Sequence, residues 1–254
     1  MNKIAIATLI KGDIGVSDNW QNRLIVLRNK SINKHFFEKC DFIIFHEGNV
    51  SEEYKKTIIR DSNIKFSIKF IEVSNFKPSM DEIEKMKHSL IDKNVVETGY
   101  SSMCKFWSYG FINYLKEYDY VIRIDDDCVV LNDIAPIVKE LETKYLVFPF
   151  LSGEDYRYRM KEFTKQYFHS DELPDERIRG PYTNFCGFNL NKIRSNVHIM
   201  DFFNTIEINN FVYRYTWQDV QLWGLVMRHI LKPEDWEENK NIKYIHLSHL
   251  NYVN

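Results

Sequence analysis

The sequence predicts an α/β domain built on a mostly parallel sheet, and three observations predict it. Short, continuous apolar runs, such as Ile4–Ile10 and Tyr120–Ile124, read as strands buried on both faces. They alternate with longer stretches whose apolar residues recur at helical spacing. No Gly-, Ser- or Pro-rich linker divides the chain, which holds only 9 Gly and 6 Pro in 254 residues, so 1–254 reads as a single domain.

Taken in order, Ile4–Ile10 is the first strand. Asn19–Lys34 follows as a helix, with Leu24, Leu27 and Ile32 roughly on one face. Asp41–His46 holds Phe42, Ile43, Ile44 and Phe45, a second buried strand. Ser51 opens a helix whose first turn carries Glu52 and Glu53, favourable near the positive end of the helix dipole. Ile64–Val73 alternates as a third strand, and Asp81–Lys93 is an amphipathic charged helix. After Gly99, Ser101–Leu115 reads as a helix burying Met103, Phe106, Trp107, Phe111 and Leu115. Tyr120–Ile124 is a strand that runs into Asp125, Asp126 and Asp127, and Val129–Leu131 continues the apolar pattern. Tyr145–Phe150, Thr183–Leu190 and Ile242–Leu247 are further strands, and Thr216–Ile230 is a late helix. Between them, Gly153–Pro181 is the most polar segment, either a helix plus a mobile loop or a basic lid.

The charge balance, 34 Lys and Arg against 36 Asp and Glu, leaves a net −2 and argues against a general polyanion binder, so no nucleic-acid partner is expected. Cys40, Cys104, Cys128 and Cys186 fit no zinc spacing and read as buried free thiols of a reducing compartment. The Ile4–Ile10 run is far short of the ~20 apolar residues a membrane span needs. It also lacks a basic flank and a cleavage site. The expectation is a soluble, cytoplasmic protein with no transmembrane segment.

The acidic triplet carries the chemistry. Three carboxylates at the end of a buried strand repel one another and lose hydration. A hard divalent cation, Mg²⁺, Mn²⁺ or Ca²⁺, relieves both penalties. On strand alternation, Asp125 and Asp127 point one way, toward a metal–phosphate group, and Asp126 points the other way, toward a sugar or a structural donor. A solvated turn is the bland alternative. Two metal-dependent chemistries place D-x-D after a strand. One is sugar transfer from a nucleotide-sugar, with the cation bridging carboxylates and diphosphate. The other is haloacid-dehalogenase-like phosphoryl transfer, which Asp125, Asp127 and Val129 fit literally. It ranks second, because no later paired-Asp motif follows and more than 100 residues precede the triplet.

Two blocks extend this reading. Gly99-Tyr100-Ser101-Ser102-Met103-Cys104-Lys105-Phe106-Trp107-Ser108 is followed by Tyr118-Asp119-Tyr120-Val121-Ile122-Arg123-Ile124-Asp125-Asp126-Asp127. In order and spacing they resemble the Tyr-x-x-Met-Cys-Arg-Phe helix and the Tyr-Asp-Tyr strand ending in Arg-Val-Glu-Pro-Asp of the yeast-type α-1,2-mannosyltransferases, glycosyltransferase family 15. Thr183-Asn184-Phe185 and Tyr215-Thr216-Trp217-Gln218-Asp219 resemble two further segments. The resemblance spans roughly residues 20–250.

It implies a GT-A fold and a Mn²⁺ (or Mg²⁺) cofactor. It also implies a nucleotide-sugar donor, GDP-mannose or a UDP-sugar, and a glycan, glycoprotein or glycolipid acceptor. Residues 1–131 would be the nucleotide-sugar half and 132–254 the acceptor half. Asp125 matches the family's metal-contacting Glu and Asp127 its motif Asp, with Asp126 at the donor. Tyr100 matches a donor-site Tyr, and Lys105 and Arg123 match basic positions facing phosphates. Asp219 matches an Asp on the acceptor side, there to orient or deprotonate a hydroxyl. A C-terminal His commonly completes the metal site in this fold. His246 and His249 both qualify, and their spacing of three allows one of them to do so. The chain departs from the family pattern at Cys186, where the family has Glu, and at Asp126, where it has Pro. An inactive sugar-binding domain of the same fold is therefore the non-enzyme alternative.

The same residues carry structural readings. Thr216 could N-cap the late helix with Asp219 at its third position. Trp217 would hold an acceptor or pack in the core, and the Trp107–Phe111 stripe reads as core. His35, His46, His88, His169, His198 and His229 show no ligand spacing.

Overall fold

The computed structural model describes residues 2–12, 20–73, 78, 98–170 and 177–249. The expected Asp81–Lys93 helix and the side chain of His249 lie outside them. Among the described residues eleven strands are present: β1 (Ile4–Leu9), β2 (Cys40–His46), β3 (Ser67–Glu72), β4 (Tyr120–Ile124), β5 (Cys128–Val130), β6 (Leu146–Phe148), β7 (Leu151–Asp155), β8 (Arg177–Pro181), β9 (Phe185–Asn189), β10 (Trp236–Glu238) and β11 (Tyr244–His246). Seven form one sheet in the order β10-β6-β9-β4-β1-β2-β3. β1 pairs in parallel with β2 and β4, β2 with β3, and β6 with β10. Only β9 runs antiparallel to its neighbours. The mostly parallel expectation holds.

The pleat sorts side chains to two faces. Ile43, Phe45, Val121 and Phe188 enter one apolar cluster, and Phe42, Ile122, Ile124 and Phe185 the other. Each such buried side chain contributes about 1.5–3 kcal/mol. That cover on both faces is why these strands are continuous apolar runs.

Several expectations need correction. The triplet is not strand: β4 stops at Ile124, and residues 126–127 form a turn closed by the Cys128 amide donating to the Asp125 carbonyl, 3.1 Å. The apolar run beyond it leaves the main sheet and pairs as β5 with β11. The expected helix over Ser101–Leu115 is α-helical over Thr98–Lys105, widens to a π segment over Phe106–Gly110, and closes as Phe111–Tyr114. The wide turn shows in the Phe111 amide reaching the Phe106 carbonyl, while the Ser108 hydroxyl donates to the Cys104 carbonyl at 2.7 Å. π segments concentrate at functional sites. The polar Gly153–Pro181 segment is a β7–β8 hairpin around the helix Met160–Phe168.

The late helix begins at Asp219, not Thr216. Thr216 closes the short helix before it at φ 53°, and Gln218 is the N-cap, in a capping box with Gln221. This helix, Asp219–His229, lies directly on β8. A Cβ added at Gly180 would stand 2.1 Å from the Val220 carbonyl oxygen, and one at Gly224 would stand 2.7 Å from that of Arg179. Two glycines thus let backbone meet backbone and set where Asp219 points. No helix among the described residues is long and apolar enough to cross a membrane.

Candidate active site

Beyond the carboxyl ends of β1 and β4, where strand order turns and such sheets bind ligands, lies a cavity of about 340 Å³. Leu9, Tyr100, Met103, Trp107, Arg123, Asp125–Asp127, Tyr182–Asn184, Asp219, Val220 and His246 line it. A larger hollow, about 470 Å³, lies between Tyr167, His198 and His229, but the convergent charge is here.

Arg123 organises one wall. Its guanidinium is 3% exposed and lies over the Trp107 ring, 4.6 Å from the centroid. Nε and Nη2 donate to the two oxygens of Asp125 at 2.8 and 3.0 Å, and Nη1 donates to Asp219 Oδ2 at 2.6 Å. The Thr183 hydroxyl donates to the same Asp219 oxygen, 2.7 Å. Burial opposes the arginine's charge, but Asp125 and Asp219 outweigh it and hold its pKa above the ordinary value. Burial likewise raises Asp125, with Arg123 working against it.

Asp126 lies on the other side of the turn. Burial first, then Asp125 and Asp127, push its pKa up to about 7, while Arg28 pulls it down. Arg28 is fully buried. It donates to the Ile124 carbonyl at 2.9 Å and the Ala7 carbonyl at 3.2 Å, tying together the ends of β4 and β1.

Asp127 meets β11 and the turn that follows it. Its Oδ1 is 3.2 Å from His246 Nε2, and its Oδ2 accepts from the Ser248 amide at 3.3 Å. Burial alone would raise its pKa, but the His246 and Ser248 hydrogen bonds overcome that and lower it. The His246 ring is held from behind, with Nδ1 3.0 Å from Asn184 Nδ2 and 3.3 Å from the Tyr182 hydroxyl. The Asp127 oxygen and the His246 nitrogen, side by side, suit a divalent cation.

The structure thus gathers Tyr100, Arg123, Asp125, Asp126, Asp127, Asp219 and His246 at one cavity. Tyr100 is 48% exposed, and burial of its phenol, then Cys104 and Asp219, raise its pKa. Lys105 is not brought here: its Nζ pairs with Glu207 at 3.1 Å beside a separate hollow. Trp217 is fully buried and donates to the Tyr158 carbonyl at 3.0 Å, so it packs. Cys186 faces Arg123 across the β4–β9 register, fully buried and away from the cavity. The sequence reading missed Arg28, Tyr182 and the edge of the buried Trp107 ring that borders the cavity. Arg28 had one available signal, its place four residues from both Leu24 and Ile32 on the apolar face of the first helix.

No protein-family model and no curated protein sequence matches this chain. Solved structures do. Core-mannan synthase A (CmsA/Ktr4) from Aspergillus fumigatus, in its Mn/GDP form, superposes with a TM-score of 0.74 at 14% identity, over 97% of this chain and 75% of that one. The mannosyltransferase Ktr4p from S. cerevisiae gives 0.73 at 15%, over 96% and 70%. Mouse xyloside xylosyltransferase 1 gives 0.57 at 14%, over 92% and 84%. At this identity the likeness concerns the fold, and the fold is the GT-A fold that the sequence motifs imply.

Proposed function

We propose that this protein is a metal-dependent glycosyltransferase that moves a hexose from a nucleotide-sugar to a hydroxyl acceptor. One observation carries the reading. At the strand-end cavity four carboxylates, Asp125, Asp126, Asp127 and Asp219, share the lining with a single buried guanidinium, that of Arg123. Arg123 answers Asp125 and Asp219, which leaves Asp127, and Asp126 once it ionises near pH 7, for one divalent cation to offset. That cation, when bound, supplies Lewis-acid stabilisation of a departing diphosphate.

Asp127 and His246 would hold it. Arg123, locked between Asp125 and Asp219, acts as a strut that keeps both carboxylates in place and does not swing out to phosphate. Asp219, fixed through Oδ2 at the N-terminus of its helix, positions the acceptor hydroxyl. Tyr100, at the open rim, closes over the donor. Residues 1–131 carry most of the donor wall and 132–254 the acceptor wall, with His246 crossing to the donor side. Mannose from GDP-mannose is the sugar that the motif resemblance and the Mn/GDP neighbour favour. The acceptor would be a glycan, glycoprotein or glycolipid.

Calorimetric titration with GDP-mannose and UDP-glucose, with and without Mn²⁺ or Zn²⁺, tests the proposal. The expected outcome is donor binding that requires the metal. If no nucleotide-sugar binds with Mn²⁺ or Zn²⁺ present, the proposal fails.

A further inference from the structure

We propose that Cys128 is a third protein ligand of the site's cation, so that this chain selects a thiophilic divalent ion of the Zn²⁺ type over Mn²⁺. The inference deepens the glycosyltransferase reading and rests on it for the role of the ion, but not for its ligands.

The geometry begins with register. β5 and β11 are antiparallel, and Cys128 stands directly opposite His246. Residues so paired project to the same face, with Cβ atoms ~4.5–5.5 Å apart. Asp127 precedes Cys128 and would point the other way on a regular strand. It does not, because the turn after β4 bends it back onto His246, 3.2 Å from Nε2. One ligand atom from each of Asp127, Cys128 and His246 therefore lies within 4.8 Å of the others. A tetrahedral ion bound by sulfur at ~2.3 Å and by nitrogen or oxygen at ~2.0–2.2 Å puts its ligands roughly 3.3–3.7 Å apart, so the widest of the three spacings closes by about 1 Å at most on binding. No other His, Cys, Asp or Glu group among the described residues meets this spacing. Asp125, the carboxylate that the motif alone nominates, already accepts from Arg123 with both oxygens.

The donor set decides the ion. Carboxylate and imidazole serve Mn²⁺ and Zn²⁺ alike, but a thiolate favours Zn²⁺ and its relatives. Three protein ligands also leave one position of a tetrahedron for a diphosphate oxygen, as in catalytic zinc sites. On binding, the thiol gives its proton to solvent. The imidazole proton moves from Nε2 to Nδ1, where the Tyr182 hydroxyl oxygen lies at 3.3 Å and where the Asn184 amide, now donating at 3.0 Å, must turn to present its oxygen.

The test uses the full chain stripped of metal and titrated with Co²⁺. The expected result is one equivalent bound with a near-ultraviolet sulfur-to-cobalt charge-transfer band, bleached by added Zn²⁺. Cys128→Ser and Cys128→Ala should each abolish the band and weaken Zn²⁺ binding by at least about tenfold, with Mn²⁺ affinity little changed. Co²⁺ binding without the band, or a band that survives both substitutions, overturns the proposal. If both variants unfold, the wild-type spectrum decides alone. Parallel calorimetry with GDP separates the two readings. GDP binding with Mn²⁺ and no cobalt–sulfur band removes Cys128 but leaves the glycosyltransferase. The band without GDP binding under any metal does the reverse.

Discussion

Arg123→Met tests whether the guanidinium is the strut of the site. The wild-type group makes two bonds to Asp125 and one to Asp219, all 3.0 Å or shorter, at 3% exposure. Methionine keeps the stem packed on Trp107 but leaves two carboxylates facing each other without a counter-charge. Removing one partner of such a buried network costs about 3–5 kcal/mol. For a chain of this size that is roughly 6–20 °C in Tm, at about 2–4 °C per kcal/mol. The pH dependence follows from the shifts. Arg123's pKa is raised in the fold, so its contribution is complete below its already high unfolded value and constant over the working range. What varies is the carboxylates, whose stranded charge is relieved by protonation in acid. The loss should therefore be largest at pH 8 and shrink toward pH 4. Arg123→Met/Asp219→Asn should lose less than Arg123→Met alone. Urea unfolding followed by circular dichroism at pH 8, 6 and 4 measures this. A loss under about 1 kcal/mol at pH 8, or one independent of pH, would refute the strut.

Three further outcomes are expected. Asp126 titrates near 7 in the fold against about 3.9 unfolded, so the stability linked to it is full below pH 4 and lost as pH rises to 7; metal-free Asp126→Asn should gain at most about 3–4 kcal/mol at pH 8 and nothing at pH 4, by urea unfolding. Lys105→Met, which breaks a half-exposed pair with Glu207 and a contact over the Tyr213 ring at 5.8 Å, should change stability by about 1 kcal/mol or less and leave GDP affinity unaltered in calorimetry. Gly180→Ala drives a methyl into the Val220 carbonyl; it should cost about 1–3 kcal/mol and lower kcat more than the donor KM, because the helix carrying Asp219 is pushed off β8.

What could be read from the sequence was what depends on near neighbours. β1, β2 and β4 are legible because burial on both faces demands unbroken apolar runs, and the triplet because three carboxylates at a strand end need an explanation. The β7–β8 hairpin was not, since Leu151-Ser152-Gly153-Glu154-Asp155 is half solvated and has neither an apolar run nor clean alternation. Trp107 shares its helical period with the core around it, and periodicity cannot say that one edge of a buried ring borders a cavity. The contact that defines the site, Arg123 to Asp219, joins residues 96 apart. Seeing it requires knowing that β9 runs antiparallel beside β4 and that two glycines seat the late helix against β8.

The same contacts change what the site asks of its cation. From the sequence, Lys105 and Arg123 share the charge of a departing diphosphate. In the structure Lys105 faces another hollow, and Arg123 already answers two carboxylates in a buried network whose dismantling costs more than a solvent-facing phosphate contact returns. Among the described residues lining the cavity, no further lysine or arginine is present. A diphosphate entering here meets four aspartates and, with Arg123 engaged, no free lysine or arginine among the described lining residues. Repulsion of that kind is tolerable only if the ion arrives with the phosphates or before them. The metal is then a condition of donor binding itself rather than an aid to the later step, and for that reason the calorimetry turns on titrations made without it.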